Sequence, residues 1–575
     1  MSAWNEAREL REAIASVCKE EIQNGTKDCF RVYRAMVMKT PYLNAEDSSV
    51  CDVQLFGDDN VLSLPYTKAT QNMSIGDSVL VATFSNSFRT AIVWDYRSFD
   101  NDYAVQTPIK NYGARWNKTL AQMDRMYDAE SITTDTQNFG HFGTVNPNYE
   151  NPFDNIYPWS GIKLCNVDID LYQSLQTGDS ITACVKAWEG DPDFSYDDEN
   201  GVWRYRPEFY GSSWDDGDYR YFDVCDNPIT GYVYYPEAIV GRWHGRVVSK
   251  NINGTTKNCL IPSVGMPARR MSMSTCHTYA NNYGATLDSI FSIDPDVLLC
   301  IVEFATMNTQ DAIGQGVSAM NRQNSYVLLE DVSDQTVVSV SASEGRSYCI
   351  PNAIFEIGGT DGGNQIGSYY VVSAQIDPSD ATKMLVTLNQ SVTATTANYW
   401  SVHGIINVSD EGVGSKSGYI GTLSKCNSYY RGLVLFGNMF LYTLGAYENK
   451  ADQHIWIANN DEEADLYDAL DVNVHYDTGL VMPTSATYIN QIALLSPNNM
   501  SLSIPLFCTS VGNGATSQNP IGDTFYGNNN TSNTVCSRGG NGVNGSNNGA
   551  FSQNWYSAAS AASVWLSARP RLKNP

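Results

Sequence analysis

The chain has 575 residues, of which 42% are hydrophobic, 11% aromatic and only 17% charged, and its formal net charge is -26. That apolar content excludes a disordered chain, and single cores seldom grow past ~250 residues, so several domains are expected. Phosphate-backbone binding needs clustered Lys and Arg; the 36 basic residues are scattered among 62 acidic ones, which excludes nucleic acid as a partner.

The opening "MSAWNEARELREAIASVCKEE" lacks the basic start and apolar run of a signal peptide. No stretch approaches the ~18 apolar residues of a membrane span. Synthesis in the cytosol without membrane insertion is expected. The 13 Cys lie singly from Cys18 to Cys536, without CxxC or a Cys/His zinc spacing. They read as buried thiols of a protein made in a reducing compartment. With so few charges, the surface must be built from Asn, Ser, Thr, Gly and Tyr, a palette suited to polar ligand contacts.

Residues 3–22 predict an amphipathic helix, with Leu10, Ile14, Val17, Cys18 and Ile22 on one stripe. It either packs on the next domain or serves as a docking or oligomer helix. Residues 28–95 read as five short strands, with a hairpin turn at Gly57-Asp58-Asp59-Asn60. Five strands in this span suggest a small OB-type barrel. The order Val53-Gln54-Leu55, Leu62–Pro65, Ile75-Gly76-Asp77 and Ala91-Ile92-Val93 resembles the OB-type connector barrels of phage tail and baseplate proteins.

Farther along, "LCNVDIDLYQSLQTGDSITACVKAW" alternates like paired strands. Trp188 to Asp226 then packs 12 acidic and 11 aromatic residues into 39 positions with three Arg. Within it "GDPDFSYDDENG" is a candidate Ca²⁺ loop, although Tyr196 stands where a regular loop needs Gly. The other reading is an acidic, Tyr-rich surface or an interface between subunits. From residue 236 onward, runs such as "DVLLCIVEFAT" and "YRGLVLFGNMFLYTLG" predict core strands or short helices. Residues 325–404 alternate with period two and predict a β-rich insert.

Several pieces then occur in one order: "VGRWHGRV", "MPARRMSMSTCHTYANNYG", "VEFATMNTQDAIGQG", "YYRGLVLFGNMF", "YDTGLVMPTS", "IGDTFY" and a closing "RGG…GAF…W…ARPRL". This arrangement resembles phage tail proteins and adhesins that end in a C-type-lectin-like domain. That branch is shared with formylglycine-generating enzymes and retroelement variable proteins. The segment "RGLVLFGN" departs from the related "RGIENPWGN", losing its acidic and Pro positions.

The expected architecture is multidomain, mainly β with α+β. It has an N-terminal helix (1–26), an OB-type β-barrel (27–100) and a β-rich acidic and aromatic middle region (101–235). A C-type-lectin-like α/β domain (236–324 and 405–575) follows, carrying the β-rich insert (325–404). The resemblance implies a virion tail protein that recognises a host cell-surface receptor, glycan or protein. It also implies other tail or baseplate proteins as partners, and a homotrimer.

Phe551, Trp565 and Arg569-Pro570 are expected to lock the closing segment. Asn541, Asn544, Asn547, Asn548, Asn554, Trp555 and Tyr556 are expected to face outward as the ligand-binding set. An Asn amide offers two donors and two lone pairs, and Trp and Tyr offer flat contact area at small entropic cost. From Thr524 to the end there is no Asp or Glu, which favours approach to an anionic surface.

A structural baseplate or collar component is the alternative, and a carbohydrate-cleaving tail enzyme a further one. Glycosidases need two facing carboxylates, and no motif singles out a pair. The oxidase chemistry of the formylglycine-generating relatives needs a reactive Cys pair, whereas Cys508 and Cys536 stand isolated. The six His show no ligand or triad spacing. No catalytic step and no obligatory cofactor or metal is expected, with Ca²⁺ the one candidate ion.

Overall fold

The computed structural model of the protein describes residues 31–43, 49–55, 61–65, 78–84 and 87–97 of one compact unit (Met1–Ile109). In a second unit (Lys110–Pro575) it describes 110–118, 123–134, 151–229, 232–252, 254–313, 316, 322–359, 365–408, 428–465, 471–493, 507–512, 521–527, 532–540 and 548–575. The helix expected over 3–22 lies outside the described residues.

The described residues of the first unit form one antiparallel sheet, ordered Val61–Pro65, Ser49–Leu55, Arg31–Leu43, Ser78–Phe84, Ser87–Arg97. The expected hairpin pairs Val53 with Leu62 and Gln54 with Val61. Cys51, Val53, Leu64 and Val81 are buried. Val61–Pro65 and Ser87–Arg97, at opposite edges of the order, come within 8 Å of each other, so the sheet curls.

The second unit is also mainly β. The expected boundary at 235 is absent. Strands Lys163–Val167, Val185–Trp188 and Trp203–Arg206 belong to the same six-stranded sheet as Ala238–Gly241, Thr286–Leu287 and the final strand Pro570–Leu572. The middle region therefore shares its core with the end of the chain; Phe153, Trp159 and Trp203 lie in one apolar cluster with Phe440, Phe551 and Leu572. The reason is local. Lys163–Val167 and Trp203–Arg206 bury nearly every residue, and a strand buried on both faces needs another layer over each.

A second, five-stranded sheet is ordered Val233–Tyr235, Phe209–Asp216, Tyr219–Cys225, Asn111–Asn117, Met123–Tyr127. The insert forms a six-stranded sheet between Arg322 and Ile405, with its own core around Phe355, Val371, Val386 and Trp400. It is clamped to the rest by buried Glu356, which meets Arg269 at 2.6 Å and Arg270 at 2.7 Å. His403 also packs on Trp565, with ring centroids 4.4 Å apart. Asn438 takes Ile405 in both directions, accepting its N–H at 3.2 Å and donating to its carbonyl at 3.3 Å.

At the centre runs the helix Ile290–Phe304, in which every residue is buried. "DVLLCIVEFAT" thus resolves as a helix. Its start is set upstream by Ser289 and Ser292, which form a capping box. An apolar helix with no polar face belongs in a core. Yet it carries Asp294, Asp296 and Glu303, with Asp288 just before it, and an arginine from a remote segment meets each. Arg569 reaches Asp288 at 2.5 Å, Arg204 reaches Asp296 at 2.7 Å, and Arg538 pairs with Asp294. Glu303 accepts from Arg431 at 2.7 and 2.8 Å, from Tyr430 at 2.7 Å and from Asn151 at 2.5 Å. Arg125 donates to the helix's last carbonyls, Val302 at 2.9 Å and Glu303 at 2.5 Å.

All ten described cysteines are buried. Among the described residues, no helix is long and apolar enough to cross a membrane.

Removing one partner of a buried pair strands the other charge, which costs ~3–5 kcal/mol. Glu303→Ala is expected to lower the urea midpoint by that equivalent. The double variant Glu303→Leu with Arg431→Met removes both charges and is expected to recover part of the loss. Equal losses in the single and double variants would contradict this account.

Candidate functional site at the end of the closing sheet

The closing segment joins a large sheet ordered His475–Val481, His454–Ala458, Phe440–Glu448, Thr534–Arg538, Gln553–Asn554, Thr524–Tyr526, Thr487–Ala493, Phe507–Gly512. After Arg538, Gly539 (φ 89°) and Gly540 (φ 66°) take the left-handed backbone that the tight path needs. The chain returns at Asn548 and threads Gln553–Asn554 between Thr534–Arg538 and Thr524–Tyr526.

Asp523 holds this return. Its carboxylate accepts from Phe551 N–H and from the Gln310 amide, both at 2.8 Å. The Thr309 hydroxyl accepts from Ala550 N–H at 3.0 Å, and Arg538 donates to the Ala550 carbonyl at 3.3 Å. Burial pushes the Asp523 carboxyl up to about 8, against the pull of these donors. These residues were not singled out from sequence, yet a signal was there: Asp523 is the sole acidic residue from Thr478 to Pro575.

The expected lock is present except at Trp565. Phe551, Arg569 and Pro570 are buried, and Arg569 also donates to the Val434 carbonyl at 2.6 Å. Trp565 is only half-buried, against His403. The expected display set does not form one patch. Asn548, Asn554 and Trp555 are interior: Trp555 is 0% exposed, packs on Phe507 at 5.8 Å and donates its indole N–H to Gln553 at 3.1 Å. Alternation fails as a guide because Gln553–Asn554 is a central strand with both faces covered. Asn541, Asn544 and Asn547 lie outside the described residues. Their flanks, Gly540 and Asn548, follow the Arg538 end of the strand, whereas residues 555–557 return toward its Thr534 end, where Val535 N–H meets the Ser557 carbonyl.

Tyr556 alone of the described set is exposed, at 60%. Its N–H donates to Asn554 Oδ1 at 2.9 Å, so a buried side chain fixes the backbone that carries the exposed ring. The same sheet end gathers the turn between Phe440–Glu448 and His454–Ala458. Lys450 N–H there donates to Asn533 at 3.0 Å, and Thr534 donates to buried Glu448 at 2.7 Å. Exposed Val481 ends the neighbouring edge strand.

Three strands from Tyr556, about 14 Å by strand spacing, His454 Nδ1 lies 3.0 Å from Asp477 and 3.9 Å from Asp452. Among the described residues this is the group whose ligand atoms come within 4.8 Å of one another. Asp477 raises His454 above its ordinary value, so the imidazolium competes with any cation for these carboxylates.

The candidate Ca²⁺ loop is differently built. Asp191 accepts Trp188 N–H at 2.9 Å, Asp198 accepts Asn200 N–H at 2.8 Å and pairs with Lys186 at 2.8 Å, and Tyr196 donates to Glu189 at 2.7 Å. Its acids cap turns and bind lysine and tyrosine rather than converge on one point. His244 is buried and pushed down to about 3, a structural residue and no base at neutral pH.

No protein-family model matches the chain, and no curated protein matches it.

The raised Asp523 gives a signed pH dependence. The folded state holds this proton up to about pH 8, whereas the unfolded chain releases it near ~3.9. Its contribution to stability is therefore complete below the lower value and is lost as pH rises through the upper one. Asp523→Asn is expected to flatten the fall in Tm between about pH 4 and about pH 8. An unchanged slope would show that another group sets it.

Proposed function

We propose that this protein is a phage virion tail component that attaches to the host cell surface through the exposed end of its closing sheet. The observation that carries the reading is the anchored closing segment: buried Phe551, Trp555 and Arg569 hold Tyr556 outward on a fixed backbone. Preorganised aromatic contacts lose little entropy on binding.

The strand order of the first unit, with its two edge strands drawn together, supports an OB-type connector barrel that joins the tail. The pairing of the last strand with Thr286–Leu287 and Ala238–Gly241 supports a closed C-type-lectin-like body. Single sites of mM to μM strength, roughly, would be raised by the copies of a homotrimer and of the tail itself. The partners on this reading are a host receptor and other tail or baseplate proteins.

Fluorescently labelled chain is expected to bind host cells, and Tyr556→Ala to lose about tenfold in affinity with an unchanged Tm. Cell binding that ignores Tyr556 would move the receptor contact elsewhere. A chain that binds no cells would be a structural baseplate component.

A further inference from the structure

The five-stranded sheet of the middle region has two unlike faces. Along Phe209–Asp216, Phe209, Gly211 and Ser213 are buried, while Tyr210, Ser212 and Trp214 point the other way. Tyr219–Cys225 buries Arg220 and Phe222 and turns Tyr219 and Tyr221 outward. Asn111–Asn117 buries Tyr112, Ala114 and Trp116 and turns Asn111, Arg115 and Asn117 outward. The inner face packs on the central helix; Leu298 sits close over Gly211.

The outer face is ordered in cross-strand rows. One row reads Asp124, Arg115, Tyr221, Trp214. Trp214 and Tyr221 are stacked, with centroids 5.0 Å apart and planes within 4°. Arg115 lies over Tyr219 at 4.8 Å and is held by Asp124 at 3.1 Å. Four residues along the strands, about 14 Å away, Tyr210 pairs with Tyr234 at 5.3 Å, and Tyr234 is 45% exposed.

Between the two aromatic rows stands Asp223, opposite Ser212 and Gly113. By strand alternation its side chain is on the outer face, yet it is 0% exposed. One oxygen accepts from Tyr232 at 2.5 Å; the other, Oδ1, meets no well-aligned hydrogen-bond donor among the described residues, and neither does Asn111 Oδ1 nearby. A buried carboxylate oxygen without a donor is costly unless a ligand or solvent supplies one. Gly113 makes the room: a Cβ there would stand 2.5 Å from Oδ1 and 3.0 Å from the exposed Tyr127 ring. Burial also pushes Asp223 up to about 7, so near neutrality it serves as donor or acceptor.

We infer that this outer face is a second binding site, distinct from the closing-sheet end, and that its ligand is a neutral oligosaccharide. Sugar rings present flat C–H faces and a rim of hydroxyls. Trp214 and Tyr221 cover one face of each other, so with Tyr210 and Tyr234 they offer their remaining faces and edges, and a donor entering between the rows meets Asp223 Oδ1 and Asn111 Oδ1. The row spacing fits a short chain of sugars rather than one. Charge selects neutrality: Glu208, Asp216 and Asp218 stand exposed at the margin, whereas Arg115 and Lys110 are engaged by Asp124 and Asp128. Anionic glycans are repelled.

The test uses the full chain, an array of neutral hexose and N-acetylhexosamine hexasaccharides with sialylated counterparts, and tryptophan fluorescence titration of each hit. At least one neutral hexasaccharide is expected to bind, and the sialylated ones not. Trp214→Ala is expected to weaken binding about tenfold or more at unchanged Tm, and Trp214→Phe to retain most of it. Tyr556→Ala should leave this binding intact even where cell attachment is lost, which separates the two sites. Absence of any neutral hit, binding indifferent to Trp214, or preference for the sialylated glycans would overturn the inference.

Discussion

Outside the insert and its own core, the second unit is built around one buried helix that carries too much charge for its place. Asp288, Asp294, Asp296 and Glu303 sit in or beside an apolar segment with no contact to solvent. Taking them out of water is tolerable only because a guanidinium meets each, with further donors on Glu303. Arginine suits this task, since its planar fork matches a carboxylate and stays charged when buried. Arg204, Arg431, Arg538 and Arg569 come from four regions of the chain. Each pair is thus a long-range tether, and the helix cannot be dry unless every region has arrived.

The same pairs anchor the described parts of the closing segment, 532–540 and 548–575, despite their Gly, Asn and Ser. Arg538 opens it on Asp294, Asp523 and Thr309 pin its return, and Arg569 ends it on Asp288. A soft sequence is held at three points, two of which are acids in or just before the helix. The cost is display area: threading a short strand through the middle of a sheet hides Asn548, Asn554 and Trp555 and leaves Tyr556 at the end.

The same helix decides the two faces of the middle sheet. Its side chains take up Gly211 and the ring-rich inner face, where Tyr112, Phe153 and Trp159 pack edge to face at 4.7 to 6.1 Å. The remaining aromatics are left on the outer face, ordered by cross-strand register.

Period-two alternation and turn residues made the strands of 28–95 and of the insert legible from sequence alone, because such signals are local: Val53, Leu62 and Phe355 each answer to near neighbours. Buried Phe551, Arg569 and Pro570 were legible too, as rings and a stiff pair in a soft tail. Other features were not. "DVLLCIVEFAT" reads equally as strand or helix, since the unbroken apolar run between Asp296 and Glu303 has no period to distinguish them; the Ser289 cap and the cover on every side decided it. The union of the middle region with the C-terminal body rests on pairing Ala238–Gly241 with both Trp203–Arg206 and Pro570–Leu572, contacts of long sequence separation that no local pattern encodes. Whether Trp555 faces in or out depends on which strands flank it. Composition fixed what the chain could bury and what it had to expose; only the tertiary structure, through the arginine partners of one helix, chose which rings went to which side.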